Sequence, residues 1–438
     1  MVAKIVYDFI LTLGATLKQA QQTSHGFVPA ALTASTLWAA WWLWKFTLSP
    51  AIYPDAPRQL PYWIPFVGHA RAMMMNADKL FSYGREYFGN TREVFTITVA
   101  GEEMYIVTSP EDVLSVYKNT KALDFNPIIR DIMTDFGLTP TTLDKMFEQR
   151  FTGKCWMDLT HDDFKLQLHP GEKLDALQDT FLGNIDRSMS WDKLDGPMVL
   201  AGSGTDEKVV SLFKWCGEVL VDSATRAFFG DALYQVAPDL LKDFFTFDNE
   251  SWKLNYKYPH FAAKDMYAAK ANGEAAFVKY LALPKEQRQD ASWIVQAIEQ
   301  GMKDISIDEE SQRAPMLFVF YRLINTNAYK LAFWLLAHLL HNPTLLSAIQ
   351  SEIAPAFTTT GSLNLPHLLT HSPLLTALYA ETLRLANAPI GPRLVVARAR
   401  LGPRLLQPGR RLLMPYRQLH LDAGVFGANP AAFDPARF

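Results

Sequence analysis

The sequence is poor in cysteine, has little net charge and contains no visible repeat. Its 438 residues include two cysteines, Cys155 and Cys216. Two are too few for a disulfide framework and are typical of a reducing compartment. The net charge is −3 and no basic block occurs, so nucleic acid is not expected as a partner. Hydrophobic residues make up 49% of the chain, as in a globular protein of one large domain or two.

Charged residues are also missing from a run near the amino end, residues 27–44. As a helix this run measures about 27 Å, close to the lower limit for crossing a bilayer. Tryptophans gather towards its end, beside Lys45, as they do at membrane interfaces. We therefore predict a transmembrane anchor over residues 27–48, preceded by an N-terminal segment over residues 1–26. The alternatives are a buried core helix and the apolar region of a signal peptide.

The residues on either side of the anchor indicate its orientation and its connection to the rest of the chain. More basic residues follow the anchor than precede it, which favours a cytosolic body. Prolines then recur from Pro54 to Pro65, and this density excludes helix and favours a stiff, extended connector. We predict a proline-rich hinge over residues 49–70 and one main domain over residues 71–438.

Two patterns predict regular structure in the body of the chain. Residues 94–99 alternate with period two, and a second apolar run follows Gly101, which predicts a β-hairpin. Residues 315–341 form a long apolar helical run that Asn325, Thr326 and Asn327 interrupt. Polar groups in the middle of such a helix cost stability unless they are satisfied. They either bond to neighbouring helices and to the helix's own carbonyls, or they face a functional site.

The most informative stretch lies near the carboxyl end. Glu381 and Arg384 are three residues apart in an apolar helical run, so they share a face and can pair. A buried carboxylate and guanidinium need each other and further partners, and Arg437 is available as a third member. The alternative is an ordinary pair on the surface of a helix.

The order of the motifs from residue 381 onward resembles the C-terminal core of the cytochrome P450 family, the haem-thiolate monooxygenases. The sequence shows E-x-x-R, an arginine in an extended apolar run, a Pro-Gly turn, H-x-D and P-x-R-F. The resemblance implies that Glu381, Arg384 and Arg437 form a structural triad, and that Arg393 meets a haem propionate. It also implies a mainly α fold with a small β-sheet domain.

In this family a long central helix crosses the haem face and usually carries an acid and a threonine. By resemblance Asn325 and Thr326 are the catalytic candidates, and Ile324 occupies the place of the acid. An Asn-Thr pair here resembles the branch that contains sterol hydroxylases and prostacyclin synthase. Without a carboxylate in the helix, protons for oxygen activation are expected to arrive through water or through this pair.

The axial ligand is the element that the sequence does not supply. In the family the cysteine loop follows P-x-R-F directly, and the sequence given ends at Phe438. Neither Cys155 nor Cys216 has the spacing of that loop, so we predict no metal ligand among the 438 residues. The expected fold is therefore incomplete at its C-terminus, through either a gene-model or sequencing fault or a natural truncation.

The resemblance implies a membrane-bound monooxygenase that hydroxylates a lipophilic steroid, terpenoid or polyketide in a biosynthetic pathway. The implied cofactor is haem b, with electrons from NADPH through a membrane-bound reductase. The implied location is the endoplasmic reticulum, with a single membrane pass. Two alternatives remain: a catalytically inactive relative that lacks the haem thiolate, and a membrane-anchored helical binding protein with no haem ancestry.

Overall fold

The computed structural model describes residues 27–200, 204, 206–358 and 361–438. The predicted N-terminal segment, residues 1–26, lies outside them. The described chain forms two compact units. The sheet unit contains the described residues up to Pro127 together with Ala388–Pro430, and the helical unit contains Ile128–Asn387 and Ala431–Phe438.

The sheet unit is built on a six-stranded sheet with the order β1-β2-β3-β8-β5-β4, and β6 and β7 pair separately as a hairpin. The strands of the described residues are β1 (Arg58–Gln59), β2 (Phe95–Val99), β3 (Glu102–Ile106), β4 (Leu123–Asp124), β5 (Ile390–Val395), β6 (Ala399–Leu401), β7 (Arg404–Leu406) and β8 (Arg411–Pro415).

The predicted hairpin is confirmed as β2 and β3, which pair antiparallel with Phe95 opposite Ile106. Their apolar residues face a core in which Ile97, Tyr105 and Leu412 are fully buried. β3 then pairs in parallel with β8, so segments more than 300 residues apart in sequence share one sheet. The C-terminal strand is therefore part of the same core as the N-terminal hairpin.

Helices dominate the described chain, as predicted for a mainly α fold with a small sheet. They are, in chain order, α1 (Phe27–Leu43), α2 (Ser49–Ile52), α3 (Ala70–Tyr87), α4 (Pro110–Lys118), α5 (Asn126–Asp135), α6 (Pro140–Phe147), α7 (Trp156–Leu168), α8 (Glu172–Ser188), α9 (Leu212–Phe229), α10 (Ala232–Val236), α11 (Leu240–Glu250), α12 (Trp252–Asn255), α13 (Lys264–Ala282), α14 (Trp293–Asp304), α15 (Glu310–Asn325), α16 (Ala328–His341), α17 (Pro343–Ile353), α18 (Leu365–His371), α19 (Pro373–Ala386), α20 (Arg417–His420) and α21 (Ala423–Phe426).

The helical unit has an aromatic core around α15. Phe229, Phe244, Phe277 and Phe318 are buried there, and the ring of Tyr321 lies within 5.7 Å of the first three, measured between centroids. The predicted interruption of the long apolar helix is confirmed, because α15 ends at Asn325 and α16 begins at Ala328. The core thus fixes the helix on either side of the break.

The predicted anchor begins with α1, which has 17 residues and continues as a π-helical turn over Trp44–Leu48. Among the described residues, no single helix combines the length and the hydropathy of a membrane span. Glu310–His341 and Pro343–Ala356 do so together, across a bend of 113°. The anchor over residues 27–48 stays a prediction.

The proline-rich hinge is held against the sheet unit by hydrogen bonds to the β6–β7 hairpin and to β2. The amide of Leu405 donates to the carbonyl of Asp55 at 2.7 Å, and the Arg404 guanidinium donates to the carbonyls of Pro54 and Ala56. Proline removes a backbone donor and leaves the acceptor, so an arginine side chain is a suitable partner. The hinge is therefore fixed within the sheet unit, but the prediction of an extended connector without helix is wrong in part, because Ser49–Ile52 is helical and only Arg58–Gln59 is strand. Proline is tolerated in the first turn of a helix, and Pro50 lies there.

Candidate functional site

The break in the central helix is tied to a buried carboxylate on α11. Thr326 Oγ1 donates a hydrogen bond to Asp248 Oδ1 at 2.6 Å. The hydroxyl of Tyr329 and the ammonium of Lys330 donate to Asp248 Oδ2 at 2.9 and 2.6 Å. The Asp248 side chain is 1% exposed, so its charge is stabilised almost entirely by these three donors.

Sequence reasoning missed Asp248, although a signal was available. The central helix carries no carboxylate at this point, and α11 supplies one from more than 70 residues upstream. On α11 the buried positions include Leu240, Phe244, Phe247 and Asp248, which follow helical spacing. An acid on the buried face of an amphipathic helix is expected to have a partner.

Asn325 faces a different environment from Thr326. The residue is 2% exposed, and neither its Nδ2 nor its Oδ1 has a hydrogen-bond partner among the described residues. It borders a largely apolar cavity of about 210 Å³ between α7, α8, α9 and the central helix. A buried amide without partners costs about 1–3 kcal/mol, so Asn325 keeps an unused capacity to bind a polar atom.

One turn before the break, Arg322 is a partly buried cation. Its Nη2 donates to Ser251 Oγ at 3.3 Å, and its guanidinium lies 6.0 Å from the centre of the Phe136 ring. Burial lowers the pKa of Arg322, and the charge of Asp248 opposes that shift. The break is therefore bordered by a buried carboxylate, Asp248, and a partly buried guanidinium, Arg322.

The structure brings together all three members of the predicted triad. Glu381 is 0% exposed and Arg384 is 4% exposed. Arg384 Nε and Nη2 donate to the two oxygens of Glu381 at 2.6 and 2.7 Å, in a bidentate pair. Arg437 Nε lies 3.7 Å from Glu381 Oε1, which is an ion-pair distance. The surface alternative for this pair is therefore excluded.

The C-terminal tail is held on the triad by further contacts. The amide of Asp434 donates to Glu381 Oε1 at 2.9 Å, and Arg384 Nη2 donates to the carbonyl of Ala432. The Phe433 ring stacks on His338, with centroids 3.8 Å apart. Burial lowers the pKa of His338, and the charge of Glu381 opposes that shift. The triad thus connects α19, α16 and the tail.

Arg393, the predicted propionate ligand, lies in β5 of the sheet unit. Its guanidinium is 5.1 Å from the centre of the Tyr117 ring and 4.7 Å from that of Phe125. Its Nη1 donates to the carbonyl of Pro392 at 2.7 Å. The rings hold it by cation–π contact without neutralising it, and no ion pair to a carboxylate is found for it among the described residues. Arg393 is therefore suited to an external anion.

Comparisons with known proteins agree with these features. A model of the family described as Cytochrome P450 matches residues 306–438, which include the central helix, the triad and Arg393. Among curated relatives, "Cytochrome P450 monooxygenase poxD" from Penicillium oxalicum is 23% identical over 422 residues, covering 94% of this chain and 83% of the relative.

Two of the relatives are mammalian, one from human and one from mouse. The human "7-alpha-hydroxycholest-4-en-3-one 12-alpha-hydroxylase" is 24% identical over 402 residues, covering 86% of this chain and 74% of the relative. The mouse "Cytochrome P450 7B1" is 22% identical over 335 residues. That match covers 73% of this chain, which spans 59% of the length of the mouse protein.

Residues 306–438 match the cytochrome P450 family, and two of the relatives named above are cytochrome P450 proteins. The chain is similar to proteins named as a monooxygenase and a hydroxylase, which are oxidoreductases.

Among the described residues, one of the groups expected at a haem has a suitable environment and the other does not. Arg393 offers a cation to a propionate, but neither cysteine is placed as a P450 thiolate ligand. Cys155 is buried at the start of α7, where its Sγ donates to Asp158 Oδ2 at 3.2 Å. Cys216 is buried within α9, and burial raises its pKa to about 11. Axial ligation is therefore not assigned to either residue.

Among the described residues, no group of three or more histidine, cysteine, aspartate or glutamate side chains is arranged to hold a metal ion. The triad and the polar groups at the helix break lie in the helical unit, and Arg393 lies in the sheet unit. Their roles at a haem stay predictions.

We predict that Arg384→Ala lowers the free energy of unfolding by about 3–5 kcal/mol, because it leaves the Glu381 carboxylate buried without its main partner. Denaturant unfolding measures the change. Lys165→Ala is the matched control, since it removes an exposed pair with Asp162 at the same i,i+3 spacing and is expected to cost at most about 0.5 kcal/mol. Equal losses in the two variants contradict a buried triad.

We predict that Asp248→Asn destabilises the protein by about 1.5–3 kcal/mol, because three donors lose a charged acceptor in a buried site. The same unfolding measurement applies. Asp243→Asn on α11 is the control, since Asp243 accepts one exposed bond from Asn272. If the two variants have the same free energy of unfolding, the Asp248 carboxylate does not stabilise the helix break.

We predict that iodoacetamide modifies neither cysteine in the native protein near pH 8. With its pKa at about 11, Cys216 is about one part in a thousand thiolate there, and burial also raises the pKa of Cys155. Mass spectrometry before and after denaturation counts the modified thiols. Rapid labelling of either residue in the native state shows instead an accessible, reactive thiol.

Proposed function

We propose that this chain is part of a membrane-anchored cytochrome P450 monooxygenase that hydroxylates a lipophilic steroid, terpenoid or polyketide. The observation that carries the proposal is the buried Glu381–Arg384 pair, with Arg437 beside it and the tail folded over it. The names of its relatives support this substrate class, since one is a sterol hydroxylase and others are fungal monooxygenases.

The proposed cofactor is haem b, with electrons from NADPH through a membrane-bound reductase. When bound, a haem supplies the oxygen activation that hydroxylation needs. Arg393 holds a propionate from the sheet unit, and its aromatic neighbours keep the guanidinium in place. Because neither cysteine suits the axial position, we propose that the thiolate comes from residues outside the 438 given.

In this proposal Asp248 takes the place of the acid that the central helix lacks. It holds the hydroxyl of Thr326, and it also contacts Lys330, whose side chain is 38% exposed. This arrangement allows a proton to reach Thr326 Oγ1 from the surface through short hydrogen bonds. Asn325, with its unpaired amide, is proposed to hold a water molecule beside the same helix.

The location proposed for the protein is the endoplasmic reticulum membrane, with the anchor over residues 27–48 and a cytosolic body. The support is the uncharged run ending in tryptophans and the basic residues that follow it. The alternative to this proposal is an inactive P450 relative that binds a partner or a ligand without turnover.

We predict that protein expressed from the natural locus, with any in-frame sequence beyond codon 438, gives the carbon-monoxide spectrum of thiolate-ligated haem. The reason is that the chain has the buried triad and the Arg393 guanidinium that the proposal assigns to a haem-binding scaffold. The same spectrum measured on the 438-residue chain is expected to lack this band.

Arg393→Gln tests the propionate role in that longer protein. We expect lower haem content per polypeptide than in Arg398→Gln, an exposed arginine near the end of the same strand. If the product of the locus shows no thiolate-ligated haem, the inactive relative is the correct reading and the monooxygenase is not.

A further inference from the structure

A cavity of about 630 Å³ lies at the base of α1 in the sheet unit. Its walls come from the end of the π-helical turn, the proline-rich hinge, β2, β3 and the segment around β7. Its lining residues include the polar residues Ser49 and Gln407. Its lining includes neither a member of the triad nor Arg393, so the proposed monooxygenase function does not account for it.

The lining of this cavity carries more positive than negative charge. Lys45 Nζ lies 2.7 Å and Arg410 Nη2 2.5 Å from the two oxygens of Glu103. One carboxylate is therefore shared between two cations. The Lys45 side chain is 23% exposed, so its charge is only partly screened by water.

A third cation of the lining, Arg58, is in a similar position. It lies 3.7 Å from Glu93, but Glu93 makes a closer pair with Arg404 at 2.5 Å. Asp55, the other acid of the lining, pairs with Arg400 outside the cavity at 3.1 Å. The lining itself carries three cations, Lys45, Arg58 and Arg410, and two carboxylates, Asp55 and Glu103, which leaves one positive charge in excess.

The surface next to the cavity is apolar. Ile52 and Tyr53, which line it, are 54% and 60% exposed, and Trp44 in the turn above is 53% exposed. Large exposed apolar side chains beside a cationic cavity match a ligand with an anionic head and hydrocarbon chains. A freely soluble anion alone would leave these side chains without a purpose.

We propose that this cavity binds the phosphate of an anionic phospholipid headgroup, with the acyl chains lying along the exposed side chains of α1 and α2. Arg58, Arg410 and Lys45 are the phosphate ligands. Guanidinium groups suit phosphate because they can donate two parallel hydrogen bonds. This inference rests on the proposed membrane anchor, and it adds a preference for a lipid class that the anchor does not require.

The test measures binding of the full chain to phosphatidylcholine vesicles with and without phosphatidylserine, by flotation. We expect tighter binding to the anionic vesicles. Each cation near an anionic surface contributes about a fivefold change in affinity, so Arg58→Gln and Arg410→Gln should each lower anionic binding about fivefold. Binding to phosphatidylcholine alone should be unchanged in both variants.

Arg71→Gln is the matched control, because Arg71 follows the anchor but is exposed at the start of α3, outside the cavity lining. A loss as large as that of Arg410→Gln shows a diffuse surface field and overturns the proposal. Using two variants guards against a folding defect in one, and thermal unfolding in buffer identifies such a defect.

Inorganic phosphate and glycerol 3-phosphate distinguish the source of the phosphate. If they compete with anionic vesicles in the wild type and not in Arg410→Gln, the cavity recognises phosphate whether or not it belongs to a lipid. If Arg58→Gln and Arg410→Gln change neither the binding to anionic vesicles nor the competition by soluble phosphates, the cavity is not a phosphate site.

The outcome is independent of haem and of turnover. If the chain floats equally well with both kinds of vesicle, the proposed anchor is supported and the phosphate site is not. If the chain binds neither kind of vesicle, both the proposed anchor and the phosphate site are wrong. The monooxygenase function is tested separately by the carbon-monoxide spectrum.

Discussion

The helical unit depends on a carboxylate that is fully removed from water. Taking Glu381 out of solvent costs several kcal/mol, and only close, well-aligned donors can offset that cost. Arg384 supplies two of them from the next turn of α19, and the backbone of the tail supplies another at Asp434. Because the acid is otherwise unsatisfied, the tail folds where these donors reach it.

A second buried acid organises the other end of the same unit. Asp248 collects a hydroxyl, a phenol and an ammonium at the point where the central helix is interrupted. The two sites differ in kind. The acid at the triad is matched by a planar guanidinium in a fixed geometry, whereas the one at the break is matched by single donors that can rotate. The first suits a permanent brace and the second suits proton exchange.

Sequence reasoning found the contacts that are local or that follow a known order of motifs. Glu381 and Arg384 share a helix face, and the interruption at Asn325 is visible as polar residues in an apolar run. The partnership of Asp248 with Thr326 was not predictable, because 78 residues separate them and helical periodicity does not identify the partner of a buried acid. The docking of the hinge was missed for the same reason, since proline density indicates extension but not the surface it lies on.

The hinge has a consequence for how the polypeptide tolerates change. Its carbonyls at Pro54 and Ala56 are bound by Arg404, and Arg58 and Gln59 add a parallel strand beside Phe95 and Thr96. A one-residue insertion between these two attachments reverses which side chains of β1 point inward. The length of this segment is consequently set by strand register, as rigidly as a loop inside the sheet, and not by the reach of a tether.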